Sequence, residues 1–364
     1  MKKLFLLFVA SVLAITGAKA EEPSTLVATL NHEGKMWAYY GKSALVDAYN
    51  FAREGDVITL SAGTFTVPNM TKNVTVRGVG MYPDLPTSNS WTALEGNPTI
   101  TIQNNDSPMA FEGLCFLHYV YISPNSAAKR ITFTKVRFEG NNIHKSIEVN
   151  HQGVYAVFND CIIYRALRVY GGLLQNCLVE WLWNDKGNDP LTVNNCVIYD
   201  FRKYTGSGSY INYANFTNTL LVGDGTLVPD WTTYSAKNCV GFSTAVNNGS
   251  FFAGADASNR MVEDREHFFK DATAFTKSTD QYGDVNGYSL AWLGWYDLNG
   301  GHGLYELSDE AAKVYKGNDG TVVGVWGGAY PFNITPSNPR LTKCEIVPKV
   351  EADGKLKVTI EVAQ

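Results

Sequence analysis

Seven short segments between residues 111 and 241 share one pattern, and this internal repeat constrains the fold more than any other feature of the chain. The first position of each segment is apolar, the third is Asp or Asn from residue 160 onward, and the fourth is most often Cys. The segments are Phe111–Phe116, Phe133–Phe138, Phe158–Ile163, Leu174–Val179, Val193–Ile198, Phe216–Leu221 and Ala236–Gly241. Their fourth positions lie between 16 residues (Cys161 to Cys177) and 25 residues (Val136 to Cys161) apart, a spacing typical of solenoid repeats.

Apolar and polar residues alternate with a period of two in each repeat, as in Leu191–Val193 and Cys196–Ile198. No repeat has an apolar run at the 3.6-residue spacing of a helix. The pattern therefore predicts an all-β solenoid, in which a coil of two or three strands pairs in parallel with the next coil, about 4.8 Å away. The fourth column would face the interior, and the third column would form a polar ladder at a bend that Asn tolerates.

The repeats, the stretch from Ser43 to Phe65 and the stretch from Asn73 to Val79 resemble the pectate-lyase-like right-handed parallel β-helix superfamily. The resemblance covers about residues 40 to 245. It implies right-handed winding and a short amphipathic helix that caps the first coil. Because one fold hosts many functions, the resemblance is specific for the fold and weak for activity.

The N-terminal end of the chain has the pattern of a separate, cleaved segment. Lys2 and Lys3, the apolar run Leu4–Ile15 and the small-x-small site before Glu21 are typical of a signal peptide over residues 1–20, cleaved after Ala20. We expect a secreted, periplasmic or cell-surface protein, since no later stretch has the roughly 18 apolar residues of a transmembrane helix.

The remainder divides into a β-helix body over 21–335 and a tail over 336–364. The body would carry an N-terminal cap at about 40–72 and irregular final coils at about 245–335. The tail alternates around the turn signal Asp353-Gly354, which predicts a β-hairpin. The segment Gly327–Phe332 and this tail also resemble C-terminal regions of exported β-helix proteins of gut-type bacteria.

Six cysteines in an exported protein would ordinarily indicate three disulfides. Cys161, Cys177, Cys196 and Cys239, however, share a column with Leu, Val and Thr, so we expect small buried thiols instead. No Cys-x-x-Cys or His-x-x-x-His spacing indicates a metal site.

The charge balance narrows the class of partner. The chain has 30 Lys and Arg against 35 Asp and Glu, a net charge of −5, and loss of the predicted leader makes it more negative. Nucleic acids and anionic membranes are held by clustered basic residues, so neither is expected as a partner. We expect a monomer without a transmembrane segment.

The repeat register also predicts an outward strip. The seventh column contains Glu139, Tyr164, Glu180 and Tyr199, and the eighth contains Gly140, Arg165, Trp181 and Asp200. Aromatic rings stack on sugar faces, and Arg and carboxylates bind hydroxyl and uronate groups. The strip therefore predicts polysaccharide binding, with Tyr164, Arg168, Trp181, Trp183, Tyr199, Arg202 and Lys203 as the contact residues.

The resemblance adds a catalytic hypothesis. Lyases of the superfamily use Arg or Lys to remove a proton beside a uronate carboxylate, and acidic residues hold Ca²⁺. By this resemblance Arg165 would be the base, and Glu180 and Asp200 would hold the ion. The Asp-rich calcium motif and the Arg-Pro motif of pectate lyases do not occur in this sequence, and neither does the Asp-Asp pair of the family hydrolases. If the chain is an enzyme, a polysaccharide lyase is favoured over a glycoside hydrolase.

Two alternatives stay open. The outward rows can be ladder packing and solvated charge alone, which would make the chain a non-catalytic surface or extracellular scaffold or adhesin. His144 and His151 flank Lys145 and Glu148 on a stretch that resembles a loop, and we expect surface histidines there.

Overall fold

The sequence repeats stack on one another as parallel strands in a computed structural model of the chain. The structure describes residues 26–82, 91–123, 129–140, 145–185, 187, 189–199, 211–223, 234–243, 252–270, 275–279, 285–290, 305–333, 340–346 and 358–363. The predicted signal peptide lies outside these residues. Within them the chain is all-β apart from two short helices.

An antiparallel hairpin precedes the solenoid. Strand β1 (Val27–His32) pairs with β2 (Lys35–Tyr40) on one edge and with β3 (Val57–Leu60) on the other. Helix α1 (Ala44–Phe51) buries Leu45 and Tyr49 against this end, where a capping helix was predicted. The Lys72 ammonium donates to the carbonyls of Tyr49, Asn50 and Ala52 at the end of the helix region, where a cation is favourable.

Three parallel ladders follow, so each complete coil has three strands. Ladder 1 contains β3, β5 (Thr75–Arg77), the first part of β8 (Ala110–Phe116), the first part of β10 (Lys129–Phe138), β12 (Val154–Asn159), β14 (Gly171–Gln175), β16 (Leu191–Asn194), β18 (Ala214–Thr217) and β20 (Ser235–Lys237).

Ladders 2 and 3 complete the coils. Ladder 2 contains β4 (Gly63–Thr66), β6 (Thr92–Glu95), the ends of β8 and β10, the starts of β13 (Ile162–Val169) and β15 (Leu178–Asn184), β17 (Val197–Ile198), β19 (Leu220–Gly223), β21 (Val240–Ser243) and β22 (Arg260–Met261). Ladder 3 contains β7 (Thr99–Ile100), β9 (Val120–Ile122), β11 (Lys145–Val149) and the ends of β13 and β15.

The inward side chains form one continuous apolar core. Phe133 stacks on Phe111 at 5.5 Å and on Phe158 at 5.1 Å between ring centroids, as in-register coils require. Burial of one such side chain contributes about 1.5–3 kcal/mol. The fourth-column cysteines are buried and free of disulfides, which confirms that prediction.

The third column forms the bend between ladders 1 and 2. Asp160, Asn176, Asn195, Asn218 and Asn238 all have φ between 49° and 52°, a left-handed conformation that Asp and Asn tolerate better than other residues with a Cβ. The predicted bend is thus confirmed. The amides of Asn176 and Asn218 do not bond to each other as a ladder would require, however, because they donate to a later part of the chain.

That later part is the closing segment (305–333), which contains helix α2 (Asp309–Val314). The Asn176 amide donates to the carbonyls of Val325 and Gly327 over 3.0 and 3.1 Å. A Cβ on Gly327 would lie 1.8 Å from the Val322 carbonyl oxygen of the same segment and 2.9 Å from the Asn195 amide nitrogen of the solenoid, so this position requires glycine. The segment Gly327–Phe332 therefore lies along the side of the solenoid at these bends.

A second apolar core lies between the outer face of ladder 2 and the closing segment. Its members include Ile162, Leu178, Val197 and Leu220 from the solenoid, and Tyr315 and Val325 from the closing segment. The alternating pattern of ladder 2 thus has apolar residues on both faces. The outer face of ladder 2 is consequently covered over these coils.

Two antiparallel pairs complete the described elements. Strand β23 (Phe275–Thr279) pairs with β24 (Val285–Leu290), and β25 (Arg340–Ile346) pairs with β26 (Val358–Ala363), where a tail hairpin was predicted. Among the described residues, neither helix is both long and apolar enough to cross a membrane.

Candidate functional site

The predicted outward strip does not form one exposed face, because Tyr164 and Glu180 are buried. Tyr164 is 5% exposed and Glu180 is 1% exposed. Tyr164 shares a hydrogen bond with Tyr82 over 3.1 Å and packs against the Arg137 guanidinium, while Tyr199 packs on the edge of the second apolar core. The seventh column does point away from the interior of the coils, but Tyr164 and Glu180 have little contact with solvent.

The predicted eighth column is interrupted by a bulge at Arg165. This residue has φ 63°, and the pairing of β13 with β15 shifts between Ile163 and Ala166. Trp181 therefore pairs with Ala166, and the expected pairing of Arg165 with Trp181 does not occur. The Arg165 backbone donates to the Glu180 carboxylate over 2.8 Å, and its guanidinium lies 3.9 Å away. Asp200, Arg202 and Lys203 lie outside the described residues.

The remaining predicted residues, Arg168, Trp181 and Trp183, come together on the outer face of ladder 3. Leu182 lies in the interior core, so the tryptophans on either side of it point outward, and both are half-buried. We call this surface the ladder 3 face and define it by eight residues: Tyr119, Tyr121, Lys145, Glu148, Arg168, Trp181, Trp183 and Asp185.

Four coils in register build the centre of this face. Tyr121 pairs with Glu148, Glu148 with Arg168, and Arg168 with Trp183. Three rungs at about 4.8 Å each place Tyr121 and Trp183 roughly 14 Å apart. The face thus has a polar centre between an aromatic residue at either end.

Glu148 is the hub of the polar centre. Its carboxylate accepts hydrogen bonds from the Tyr119 hydroxyl (2.7 Å), the Lys145 ammonium (2.7 Å) and the Arg168 guanidinium (2.8 Å). Burial acts to raise the pKa of Glu148, but these donors and charges outweigh it and hold the pKa below its ordinary value. The pKa of Tyr119 is raised, by burial first and then by its carboxylate partner.

A second carboxylate completes the pairing of Arg168. The Nε of Arg168 donates to Asp185 over 2.7 Å, while its Nη1 reaches Glu148. Burial acts to lower the pKa of Arg168, but the Asp185 hydrogen bond and the two negative charges raise it above its ordinary value. Arg168 is therefore held as a cation that binds and orients, and it is a poor base.

The aromatic groups are positioned by polar neighbours. The Lys145 ammonium lies 5.7 Å from the Trp183 ring centroid, and the Asn150 amide donates to the Tyr121 hydroxyl over 2.6 Å. Tyr119 and Tyr121 lie side by side with centroids 6.5 Å apart. These contacts hold the rings in place before any ligand arrives.

Sequence reasoning missed five members of the face: Tyr119, Tyr121, Lys145, Glu148 and Asp185. Lys145 and Glu148 were assigned to a loop, but they belong to strand β11. A pairing shift between Lys145 and Ile147 obscures the period of two in this strand. His151 accepts a hydrogen bond from the Gly153 backbone over 2.9 Å, which gives it a structural role, and His144 lies outside the described residues.

Glu180, one of the two calcium ligands implied by the family resemblance, does not fit that role. Glu180 faces the Arg165 backbone N–H and guanidinium, which compete with a cation for its carboxylate. The described part of the chain has no group of three or more His, Cys, Asp and Glu side chains that could hold a metal ion.

Comparison with known proteins gives no further assignment. No protein-family model matches the chain, and no curated protein matches its sequence.

Proposed function

We propose that this protein binds a polysaccharide on its ladder 3 face. The observation that carries the proposal is the in-register row of Tyr121, Glu148, Arg168 and Trp183 across four coils. Partly exposed aromatic rings at both ends of a polar centre match the alternation of apolar faces and hydroxyl rims along a sugar chain.

The solenoid geometry favours a linear polymer as the ligand. Each coil adds one row of side chains at a fixed spacing, which places Tyr121 and Trp183 roughly 14 Å apart. A ligand that contacts both must span this distance, which exceeds the length of a single sugar ring. An extended chain lying along the coils would contact Trp181, Trp183 and Tyr121 together.

Binding, and not turnover, is the activity that the described geometry favours. Arg168 is paired with two carboxylates and Lys145 with one, so neither presents an available base. The resemblance-based role of Arg165 as a lyase base finds no support in its position beside Glu180.

The broader setting is also part of this proposal. We take the solenoid as a right-handed β-helix of the pectate-lyase-like kind, because about 98% of parallel crossovers are right-handed. We further take the protein to be an exported monomer whose leader ends at Ala20, and not a nucleic-acid-binding protein.

Affinity electrophoresis tests the binding proposal. Neutral and acidic polysaccharides are cast into native gels, and the full chain is compared with Trp181→Ala, Trp183→Ala and the control Tyr155→Ala. Tyr155 is a 38% exposed aromatic residue on ladder 1. We expect at least one glycan to retard the chain and the control, and both tryptophan variants to lose most of that retardation. No retardation by any glycan, or equal loss in the control, would instead support the scaffold alternative.

A further inference from the structure

We infer that the ladder 3 face selects uncharged glycans over polyuronates and sulfated glycans. This inference rests on the proposed function and names the class of polysaccharide that the site accepts.

The charges of the face cancel. Its two cations are Lys145 and Arg168, and its two anions are Glu148 and Asp185. Three ion pairs of 2.7 or 2.8 Å join them, Lys145–Glu148, Arg168–Glu148 and Arg168–Asp185. An acidic sugar would approach a surface with no net positive charge, although such sugars are usually held by cations that present their donors to the ligand.

Competition for these cations would also be unfavourable. A uronate that took Arg168 or Lys145 would remove donors from Glu148, which is only 6% exposed. A buried carboxylate that loses its partners is strongly destabilising. The ligand carboxylate would in addition lie close to two like charges.

A neutral sugar meets neither obstacle. Its hydroxyls can donate to Asp185, whose carboxylate has about four lone-pair sites and uses only some of them on Arg168. Its apolar face can stack on Trp183 or Trp181 without disturbing the ion pairs. The existing pairs then serve to hold Asp185 and the rings in position.

The test compares retardation by neutral and acidic glycans, and it compares the unmodified chain with a variant that lacks one negative charge of the face. The full chain is run in native gels containing xylan, galactomannan, polygalacturonate or alginate, at low and high salt. We expect retardation by at least one neutral glycan, insensitive to salt, and none by the two polyuronates. Asp185→Asn frees part of the charge of partly exposed Arg168, so this variant should show retardation by polygalacturonate that the unmodified chain lacks, and only at low salt.

Asp106→Asn is the matched control, since it changes the net charge equally at an exposed turn away from the face. Thermal unfolding confirms that both variants are folded. Retardation of the unmodified chain by polyuronates alone would overturn the charge-matching inference and leave glycan binding intact. An equal gain in Asp106→Asn, or no gain in Asp185→Asn, would also contradict it, whereas no retardation by any glycan would overturn the proposed function itself.

Discussion

Arg168 donates a hydrogen bond to Glu148 over 2.8 Å, from the directly opposite position on the next coil of ladder 3. Parallel, in-register stacking thus joins two residues that are distant in sequence. Because each also has further partners, the pair fixes the centre of the face to which Tyr121 and Trp183 belong. We therefore expect substitution of either residue to destabilise several coils.

Glu148→Gln should lower the free energy of unfolding by about 1–3 kcal/mol at neutral pH, because the ion pairs with Lys145 and Arg168 become hydrogen bonds to a neutral amide. The folded state holds the pKa of Glu148 below its ordinary value. The contribution of its charge to stability is therefore present above the unfolded-state pKa, near 4.5, and is lost as the pH falls through the lower folded-state pKa. Urea unfolding from pH 3 to pH 7 checks this: the gap between the two proteins should widen as the pH rises, and a constant gap would contradict it.

Asp160→Asn should stabilise the protein at neutral and alkaline pH. Asp160 has a left-handed backbone at a bend where later coils have Asn, and burial raises its pKa to about 7. Since the folded-state pKa lies above the unfolded value of 3.8, the folded state binds more protons between these values and the native protein loses stability as the pH rises from about 4 to 7. The variant lacks this loss, so its advantage should grow over that range to about 1 kcal/mol, allowing for solvent screening, and then stay level. Thermal melts across pH 4–9 measure it, and an advantage that shrinks with rising pH would refute the assignment.

Asn176→Ala should cost about 2–4 kcal/mol. The substitution removes a residue suited to φ 52° and deletes two hydrogen bonds to the closing segment. Asn176→Gly separates these effects, since glycine keeps the backbone conformation and loses only the amide. The rate of limited proteolysis within 305–333 should rise in both variants. The free energy of unfolding should fall more in Asn176→Ala than in Asn176→Gly. Equal stability of the two variants would show that backbone conformation is not a significant part of the cost.

The described cysteines should behave as buried thiols with no disulfide. Burial raises the pKa of Cys239 to about 12 and raises the pKa of Cys115, Cys161 and Cys196. Cys115, Cys161, Cys177, Cys196 and Cys239 should react with a thiol reagent only after unfolding, and a reducing agent should leave the melting temperature unchanged. Rapid labelling of Cys161, Cys177 or Cys196 in the native protein would contradict the stacked arrangement.

The sequence predicts ladder 1 and the bend after it well, because the ladder 1 strands alternate clearly and an Asn or Asp occupies the bend from residue 160 onward. The columns of Phe133, Asn176 and Cys177 follow directly from alternation and from the steric preference of a left-handed bend. The structure buries the repeated Cys at that interior position together with Leu114 and Val136 of the same column.

The candidate site could be predicted only in part. Alternation turns Tyr164 and Glu180 away from the interior, but it cannot show that both are buried there, Tyr164 beside Tyr82 and Arg137 and Glu180 beside Arg165. The bulge at Arg165 shifts the register by one residue, and one residue is enough to change which side chains share a face. The sequence predicts Trp183 and Arg168 as contact residues of the outward strip, whereas the structure places them on ladder 3, and Glu148 becomes a candidate only once that third ladder is known.

Oxidative footprinting with hydroxyl radicals, in the presence and absence of a neutral oligosaccharide that retards the chain, tests the glycan face most directly. The side chains of Trp181, Trp183 and Tyr121 should become protected, while exposed Tyr155 and Tyr330 should react as before. Protection elsewhere, with the ladder 3 face unchanged, would contradict the proposed site.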